Sequence, residues 1–143
     1  MKKAYIFDLD GTLALFKEKG HRHPFGFEAS LILEDEVNEP VARIYKRLAY
    51  EKDIEIILLS GREDYCRNET MQWLSTNNIN GWSYLFMRKA GDNRKDSIVK
   101  EEIYREKIEP NYEILGVFDD RNQVVEMWRS LGLPCFQVAN GDF

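Results

Sequence analysis

An apolar run, residues 4–7, ends directly in two aspartates that are one residue apart, Asp8 and Asp10. The run has the composition of a buried strand, and two carboxylates so close together resist ionising jointly. A divalent cation removes that cost, and one carboxylate oxygen can then act as a nucleophile. Gly11 lets the chain turn sharply after the second carboxylate. The segment therefore predicts a buried strand that ends in a reactive acidic turn, with a plain acidic turn as the open alternative.

Apolar runs alternate with helical patterns along the rest of the chain. Strand-like runs occupy residues 3–7, 54–59, 114–118 and 134–138. Apolar residues spaced as on one helix face occupy residues 39–51, 62–76, 95–107 and 122–131. Strands that alternate with helices in this way form an open α/β sheet with right-handed crossovers.

Residues 14–36 do not fit this rhythm. The segment is longer than an ordinary connection and mixes glycine and proline with aromatic and basic residues. Long loops in small domains are commonly active-site lids, so we expect a flap over the catalytic strand end. The remaining chain has no insertion long enough for a separate cap, and 143 residues predict a single domain, 1–143.

Composition and charge exclude several classes of protein. No apolar run approaches the ~18 residues of a membrane span, and the apolar stretch before Asp8 is too short for a signal peptide. We therefore expect a cytoplasmic protein without a membrane partner, with Cys66 and Cys135 as reduced thiols. The net charge of −5 argues against a broad basic face for a long duplex. It is compatible with a local basic pocket for one phosphorylated end.

A second polar cluster, Ser60-Gly61-Arg62, follows the strand-like run 54–59. Ligands of parallel sheets bind at the carboxyl ends of the strands, where Asp8 is also expected. A hydroxyl, a glycine amide and a helix start together suit a phosphate oxygen. Helix capping by Ser60 is the alternative interpretation.

Residues 88–96 place four cations in a short segment of an otherwise acidic chain: Arg88, Lys89, Arg94 and Lys95. Such a charge run is most often a solvated face. Lys95, however, begins a helical pattern after a Gly-Asp turn, and a fixed cation at that place would neutralise phosphoryl oxygens.

The run 114–118 ends in a second acidic pair, Asp119 and Asp120. Two carboxylates at another strand end are what an oxygen-liganded Mg²⁺ site requires. A helix cap is the alternative for this pair in isolation.

These motifs, in this order, resemble those of the haloacid-dehalogenase (HAD) phosphohydrolases. Longer stretches resemble the 3′-phosphatase domain of the phage polynucleotide kinase-phosphatases: residues 7–14, 60–63, 91–96, 99–103, 119–129 and 137–143. The resemblance implies a Rossmannoid three-layer sandwich with a central parallel sheet and a minimal cap, the flap alone. No GxxxxGK[ST] motif occurs, so we predict no kinase active site in this chain.

The resemblance also implies a role for each motif residue. Asp8 would be the nucleophile and Asp10 the proton shuttle, while Lys95 would be the invariant lysine and Asp96 would orient the cations. The residues implied to bind the phosphate or the substrate strand are Thr12, Ser60, Gly61, Arg62, Lys95, Arg88 and, in the poorly matching flap, Arg22. Those implied to hold Mg²⁺ are Asp8, Asp10, Asp119 and Asp120, with the choice between the last two left open.

The implied reaction is Mg²⁺-dependent removal of 3′-phosphates from DNA or RNA ends or nucleotides through an aspartyl-phosphate. A separate kinase or ligase is an expected partner. One alternative is a HAD phosphatase for free nucleotides or other small phosphate esters, and another is a non-catalytic module that binds phosphorylated ends. A phosphomutase-like phosphotransferase is disfavoured because the short chain lacks a water-excluding cap.

Overall fold

The computed structural model describes residues 1–16 and 28–143, which form a five-stranded sheet between two layers of helices. The strands of this sheet are β1 (Lys2–Phe7), β4 (Ile54–Glu63), β5 (Tyr84–Arg88), β6 (Tyr112–Asp119) and β7 (Cys135–Gln137). The short strands β2 (Ala14–Leu15) and β3 (Glu36–Val37) pair antiparallel outside it. The helices are α1 (Glu39–Tyr50), α2 (Arg67–Thr76), α3 (Asp96–Ile103) and α4 (Asn122–Ser130).

The strand order is β5-β4-β1-β6-β7, and every neighbouring pair is parallel. The predicted α/β fold with a central parallel sheet is therefore confirmed. Side chains of β1 alternate between the two faces, because Phe7 lies in one apolar core and Ala4 and Ile6 in the other. Cores on both faces explain why the central strands are almost continuously apolar.

Strand β5 is absent from the predicted set of strands. Its register with β4 is clear, since Leu58 pairs with Leu85 and Leu59 with Phe86. It is an edge strand, and only Leu85 and Arg88 in it are buried. Its apolar run, residues 84–87, is as long as that of β1, so the strand was within reach of the sequence.

Two predicted helices also differ at their ends. Strand β4 continues through Arg62 to Glu63, so α2 begins only at Arg67, after a 3₁₀ turn, Asp64–Cys66. Helix α3 continues into a π-helical turn, Tyr104–Ile108. Cys66 and Cys135 are free thiols, as expected. Within the described residues, the helices are too short or too polar to cross a bilayer.

The flap segment is described only at its two ends. These two ends pair with each other as the antiparallel strands β2 and β3. A 3₁₀ helix, Ala29–Glu34, precedes β3, and its residue Ile32 is buried. Asn38 ties this end to the acidic turn, since its side-chain amide donates to the carbonyl of Thr12 at 2.9 Å. Arg22 lies outside the described residues, so its predicted contact with the substrate stays a prediction.

Candidate active site

The carboxyl ends of β1 and β6 bring three aspartates together. Phe7 pairs with Phe118, and the backbone N–H of Asp8 donates to the carbonyl of Phe118 at 3.0 Å. Asp8, Asp119 and Asp120 are buried, and ligand oxygens from all three lie within 4.8 Å of one another. Asp8 of the first predicted acidic pair and both residues of the second therefore form one cluster, while Asp10 stands outside it.

Burial of the Asp8 carboxyl, reinforced by Asp119, raises its pKa well above the ordinary value. A buried group of like charges is unfavourable unless cations offset it. The electrostatics of this cluster thus favour a cation in contact with it.

Lys100, on α3, is a cation built into the cluster. Its ammonium group lies 3.0 Å from Asp8 Oδ1, 3.0 Å from Asp119 Oδ2 and 3.8 Å from Asp96 Oδ2. Burial alone would lower the pKa of Lys100, but the three carboxylates together raise it well above its ordinary value. Lys100 is therefore a permanently charged lysine that neutralises part of the acidic cluster.

This arrangement corrects the prediction that Lys95 is the lysine beside Asp8. Lys95 is solvent-exposed and is the residue that precedes α3. Asp96 and Lys100 are both buried and lie four residues apart, which places them on the same inward face of the helix. Lys100 therefore reaches the site from the inward face of α3, and Lys95, which precedes the helix, does not.

Arg62, which was predicted to bind phosphate, is in contact with two carboxylates. Its Nε and Nη2 donate to the two oxygens of Asp10, at 2.9 and 2.6 Å. Nη2 also contacts Asp35 at 3.2 Å, and Nη1 donates to Thr70 at 3.1 Å. The side chain of Arg62 is only 2% exposed, so the guanidinium fixes the orientation of the Asp10 carboxylate.

Asp35 is a site residue that sequence reasoning missed. It lies in the irregular segment 14–36, directly after the 3₁₀ helix, and its side chain is 1% exposed. Trp73 Nε1 donates to its backbone carbonyl at 2.9 Å, which anchors this part of the flap to α2. Its contact with Arg62 spans 27 positions of the chain, a separation over which no local pattern gives a signal.

Of the two hydroxyl groups predicted to bind phosphate, that of Thr12 contacts Asp8 and that of Ser60 contacts the backbone of Arg62. Thr12 Oγ1 donates to Asp8 Oδ2 at 3.2 Å, and Ser60 Oγ accepts from the backbone N–H of Arg62 at 3.0 Å. Both residues are fully buried. Ser60 thus shapes the local backbone, as the capping alternative supposed, although β4 continues past it instead of giving way to a helix.

Gly61 permits the close approach of Asp96. A Cβ atom on Gly61 would lie 2.3 Å from Asp96 Oδ1, well inside van der Waals contact. Gly11 does the same for the acidic pair, since its Cβ would lie 2.0 Å from Asp120 Oδ2. Its φ of +82° also suits glycine alone. The two glycines keep open the space in which these carboxylates sit.

Arg88 makes its hydrogen bonds within the chain, and these contacts do not support the prediction that it binds the substrate strand. Its guanidinium donates to the carbonyls of Gly61, Asp92 and Arg94 and to Asp96 Oδ1, at 2.9, 3.0, 2.5 and 3.3 Å. These contacts use all three nitrogens within the chain. Asp96 contacts Arg88, Lys100 and Arg121, so its predicted role of orienting cations agrees with the geometry.

A cavity opens at this edge of the sheet. The residues lining it are Asp8, Asp10, Gly61, Asp96, Asp120 and Arg121. Arg121 lies in the stretch 119–129 that resembles the family, but it is not among the site residues predicted from the sequence. Its position directly after the Asp119-Asp120 pair was the available signal.

The acidic cluster fits a divalent metal. Carboxylate oxygens are the donors that Mg²⁺ prefers, and the cluster carries more negative charge than Lys100 offsets. Asp119 is held by protein donors, because it accepts from the backbone N–H of Asp120 at 2.9 Å and from Lys100 at 3.0 Å. Asp120 lines the cavity instead.

Comparisons with known proteins agree with this architecture. The family model of the polynucleotide kinase PNKP phosphatase domain matches residues 2–143. A protein of Autographa californica nuclear polyhedrosis virus, named "Putative bifunctional polynucleotide kinase/RNA ligase", is 35% identical over 133 residues, which cover 92% of this chain and 18% of the viral protein. Two solved structures, of "the Pnkp1/Rnl/Hen1 RNA repair complex" and of the "Pnkp1/Rnl/Hen1 complex", contain a chain that is 44% identical and covers all of this chain.

The TM-scores of these two chains are 0.91 and 0.90, and this chain covers 44% and 48% of them. The chain thus spans less than half the length of each of these relatives. The match with the family model covers nearly the whole chain, and the chain belongs to the family of polynucleotide kinase PNKP phosphatase domains.

Proposed function

We propose that this chain is a Mg²⁺-dependent phosphatase that removes 3′-phosphates from polynucleotide ends through an aspartyl-phosphate. The observation that carries the proposal is that the carboxylates of Asp8 and Asp10 have different surroundings. Asp8 is buried against Lys100 and the second acidic pair, whereas Asp10 is held by Arg62 at the wall of the cavity. One carboxylate is suited to nucleophilic attack and the other to proton transfer.

In the proposed first step, an Asp8 oxygen forms a bond to phosphorus as the bond from phosphorus to the 3′-oxygen breaks. Asp10 enters this step in its protonated form, gives its proton to the leaving oxygen and becomes a carboxylate. In the second step Asp10 takes a proton from water, and the resulting hydroxide attacks the same phosphorus. The bond from phosphorus to the Asp8 oxygen breaks, which releases inorganic phosphate and restores the Asp8 carboxylate. The bidentate contact with Arg62 keeps the Asp10 carboxylate in one orientation through both transfers.

Asp8 and Asp120 would hold Mg²⁺ directly, and Asp119 would orient Lys100. Magnesium would supply positive charge for the phosphoryl oxygens during transfer. Lys100 would reduce repulsion between Asp8 and an incoming phosphate, because its ammonium lies at 3.0 Å from the attacking carboxylate.

RNA repair is the proposed setting. The viral relative carries kinase and RNA ligase in its name, and the structural relatives belong to an RNA repair complex. We therefore expect a kinase and a ligase to act beside this domain, on the same chain or on separate ones. Co-purification with such a ligase tests this association.

The direct test is Mg²⁺-dependent phosphate release from RNA and DNA oligonucleotides that differ only in a 3′- or a 5′-phosphate. Mononucleotides with the same two phosphate positions complete the set. We expect the 3′-phosphorylated oligonucleotides to be the preferred substrates. Equal or faster release from mononucleotides would instead support the phosphatase for small esters, and binding without release would support the non-catalytic module.

Asp8→Asn tests the nucleophile, because the amide keeps the size of the side chain and cannot attack phosphorus. We expect release to become undetectable while the far-ultraviolet circular dichroism is unchanged. Asp53→Asn is the matched control, since Asp53 is exposed and its positive φ of 67° suits asparagine. Substantial activity of Asp8→Asn would exclude the assignment.

A further inference from the structure

The loop that carries the second acidic pair is covered by residues 137–143, which we call the strap. The strap contacts residues 119–122 through five hydrogen bonds. Val138 N–H donates to Asp119 O at 3.1 Å, and Gln137 Nε2 donates to Asp120 O at 3.1 Å and to Asn122 Oδ1 at 2.6 Å. Asn122 N–H donates to Gly141 O at 2.9 Å, and Arg121 Nε donates to Phe143 O at 2.8 Å. The packing is close, since a Cβ atom on Gly141 would lie 1.8 Å from the carbonyl oxygen of Asp120. The strap therefore fixes the conformation of this loop.

Arg121 links the strap to the cavity. Its guanidinium carbon lies 5.4 Å from the centroid of the Phe143 ring, and Nε donates to the carbonyl of the same residue. On the other side, Nη1 lies 3.8 Å from Asp96 Oδ2, and both Arg121 and Asp96 line the cavity. The strap thus holds the guanidinium at the cavity wall.

The residues around Arg121 in the cavity are mostly acidic. Four of its six lining residues are aspartates, and Arg121 is the cation among them. The side chains of Lys100 and Arg62 are 1% and 2% exposed and contact carboxylates at 3.0 and 2.6 Å, whereas that of Arg121 is 23% exposed and lies 3.8 Å from its carboxylate neighbour, Asp96. An incoming phosphate is therefore in a position to meet Arg121 while those two cations remain beneath the carboxylates.

We infer that Arg121 binds the phosphoryl group of the substrate in this cavity and that Phe143 is its positioning residue. The planar guanidinium suits two phosphoryl oxygens at once. This inference deepens the proposed function. It depends on the proposed function only because it requires a phosphate ester as the substrate.

The kinetic test compares Arg121→Ala with Arg129→Ala. Both changes remove an arginine from the same region, but Arg129 is exposed and donates to the carbonyl of Cys135, away from the cavity. We expect Arg121→Ala to raise KM about 10- to 100-fold, for p-nitrophenyl phosphate and for a 3′-phosphorylated oligonucleotide alike, as expected for a lost charge-assisted contact. The turnover number should change less than KM, and Arg129→Ala should match the native protein.

Arg121→Lys keeps the charge without the planar fork, so it should recover part of the loss in KM. A rise in KM confined to the oligonucleotide would place Arg121 on the strand rather than on the phosphoryl group and would overturn the inference. A fall in turnover with an unchanged KM would also overturn it, as would an Arg121→Ala variant that differs from the native protein only in its melting temperature.

Binding of inorganic phosphate, measured by calorimetry in the presence of Mg²⁺, separates this inference from the proposed function. We expect Arg121→Ala to weaken phosphate binding about 10- to 100-fold, whichever ester proves to be the substrate. A native protein that binds phosphate but ignores 3′-phosphorylated ends refutes the proposed function alone. Equal phosphate binding by the native protein and Arg121→Ala refutes the inference alone.

Phe143→Leu tests the strap without altering Arg121. It removes the ring but retains the backbone carbonyl that Nε contacts. We expect KM for both substrates to rise about 2- to 5-fold, the size of an exposed cation–π contact. An unchanged KM would exclude Phe143 as a positioning residue.

Discussion

Lys100 and Lys95 provide a matched pair, because both are lysines of the same segment and only one of them enters the acidic cluster. Lys100→Met removes a fully buried ammonium that lies 3.0 Å from Asp8 and 3.0 Å from Asp119. Removing one partner of a buried ion pair leaves the other charge uncompensated, which costs about 3–5 kcal/mol. Lys95→Met changes an exposed side chain and should alter the free energy of unfolding by less than about 0.5 kcal/mol.

The measurement is urea unfolding with EDTA present, so that no divalent cation replaces the lost ammonium. A loss of about 3–5 kcal/mol is a large part of the roughly 5–15 kcal/mol that holds an ordinary domain folded. Lys100→Met should therefore show a much lower urea midpoint than the native protein. Adding Mg²⁺ in excess of the EDTA should restore part of the difference between the two midpoints. Phosphate release should be lost in Lys100→Met and retained in Lys95→Met.

The pH dependence gives a second readout of the same contact. Burial and the neighbouring Asp119 raise the pKa of Asp8, and Lys100 opposes that rise. A pKa raised in the native state means that the native protein binds more protons than the unfolded one, so stability falls as pH rises above the ordinary value of 3.8. Without Lys100 the pKa of Asp8 rises further, so Lys100→Met should lose more stability at pH 8 than at pH 5. Equal losses in the two lysine variants, or activity lost only in Lys95→Met, would refute this reasoning.

Three further outcomes follow from the same site. Gly61→Ala should displace Asp96, because the added Cβ would lie 2.3 Å from its carboxylate oxygen, and the result should be a large loss of phosphate release with a modest loss of melting temperature. Asp35→Asn keeps the shape of the side chain but removes one of the two carboxylates that face Arg62; we expect lower turnover because Asp10 is then held less firmly, and unchanged turnover would contradict a positioning role. Mg²⁺ at 100 times its dissociation constant should raise the free energy of unfolding by about 2.7 kcal/mol, and no shift in the urea midpoint would argue against a metal at the acidic cluster.

The central strands could be predicted from the sequence because they are buried on both faces. Residues 4–7 of β1 and 56–59 of β4 are continuous apolar runs, and the polar residues that follow them lie at one edge of the sheet. The meeting of Asp8 with the second acidic pair follows from that topology alone. Edge strand β5 was missed although its apolar run before Arg88 is as long as that of β1.

The choice of lysine was only partly within reach of the sequence. Asp96, Val99 and Lys100 share the buried face of α3, whereas Lys95 precedes the helix and is exposed. Lys95 is itself four residues before Val99, so helical spacing alone does not exclude it. The contact between Asp35 and Arg62 was not within reach, because Asp35 belongs to a segment without periodicity. Long-range ion pairs of this kind depend on where the flap is placed on the sheet, which is set by tertiary packing.

The pairing of charges in this site limits how a phosphate can be held. Lys100 faces two carboxylates of the cluster, Arg62 faces two more, and Arg88 is used by backbone carbonyls and one further carboxylate. Each of these cations is buried beneath the groups that it neutralises. Among the described residues that line the cavity, the positive charge that a phosphate meets is that of Arg121, and a bound metal would add to it. An acidic site that neutralises itself in this way should bind phosphate weakly without metal, and the dependence of phosphate affinity on Mg²⁺ concentration measures how much of the attraction the metal supplies.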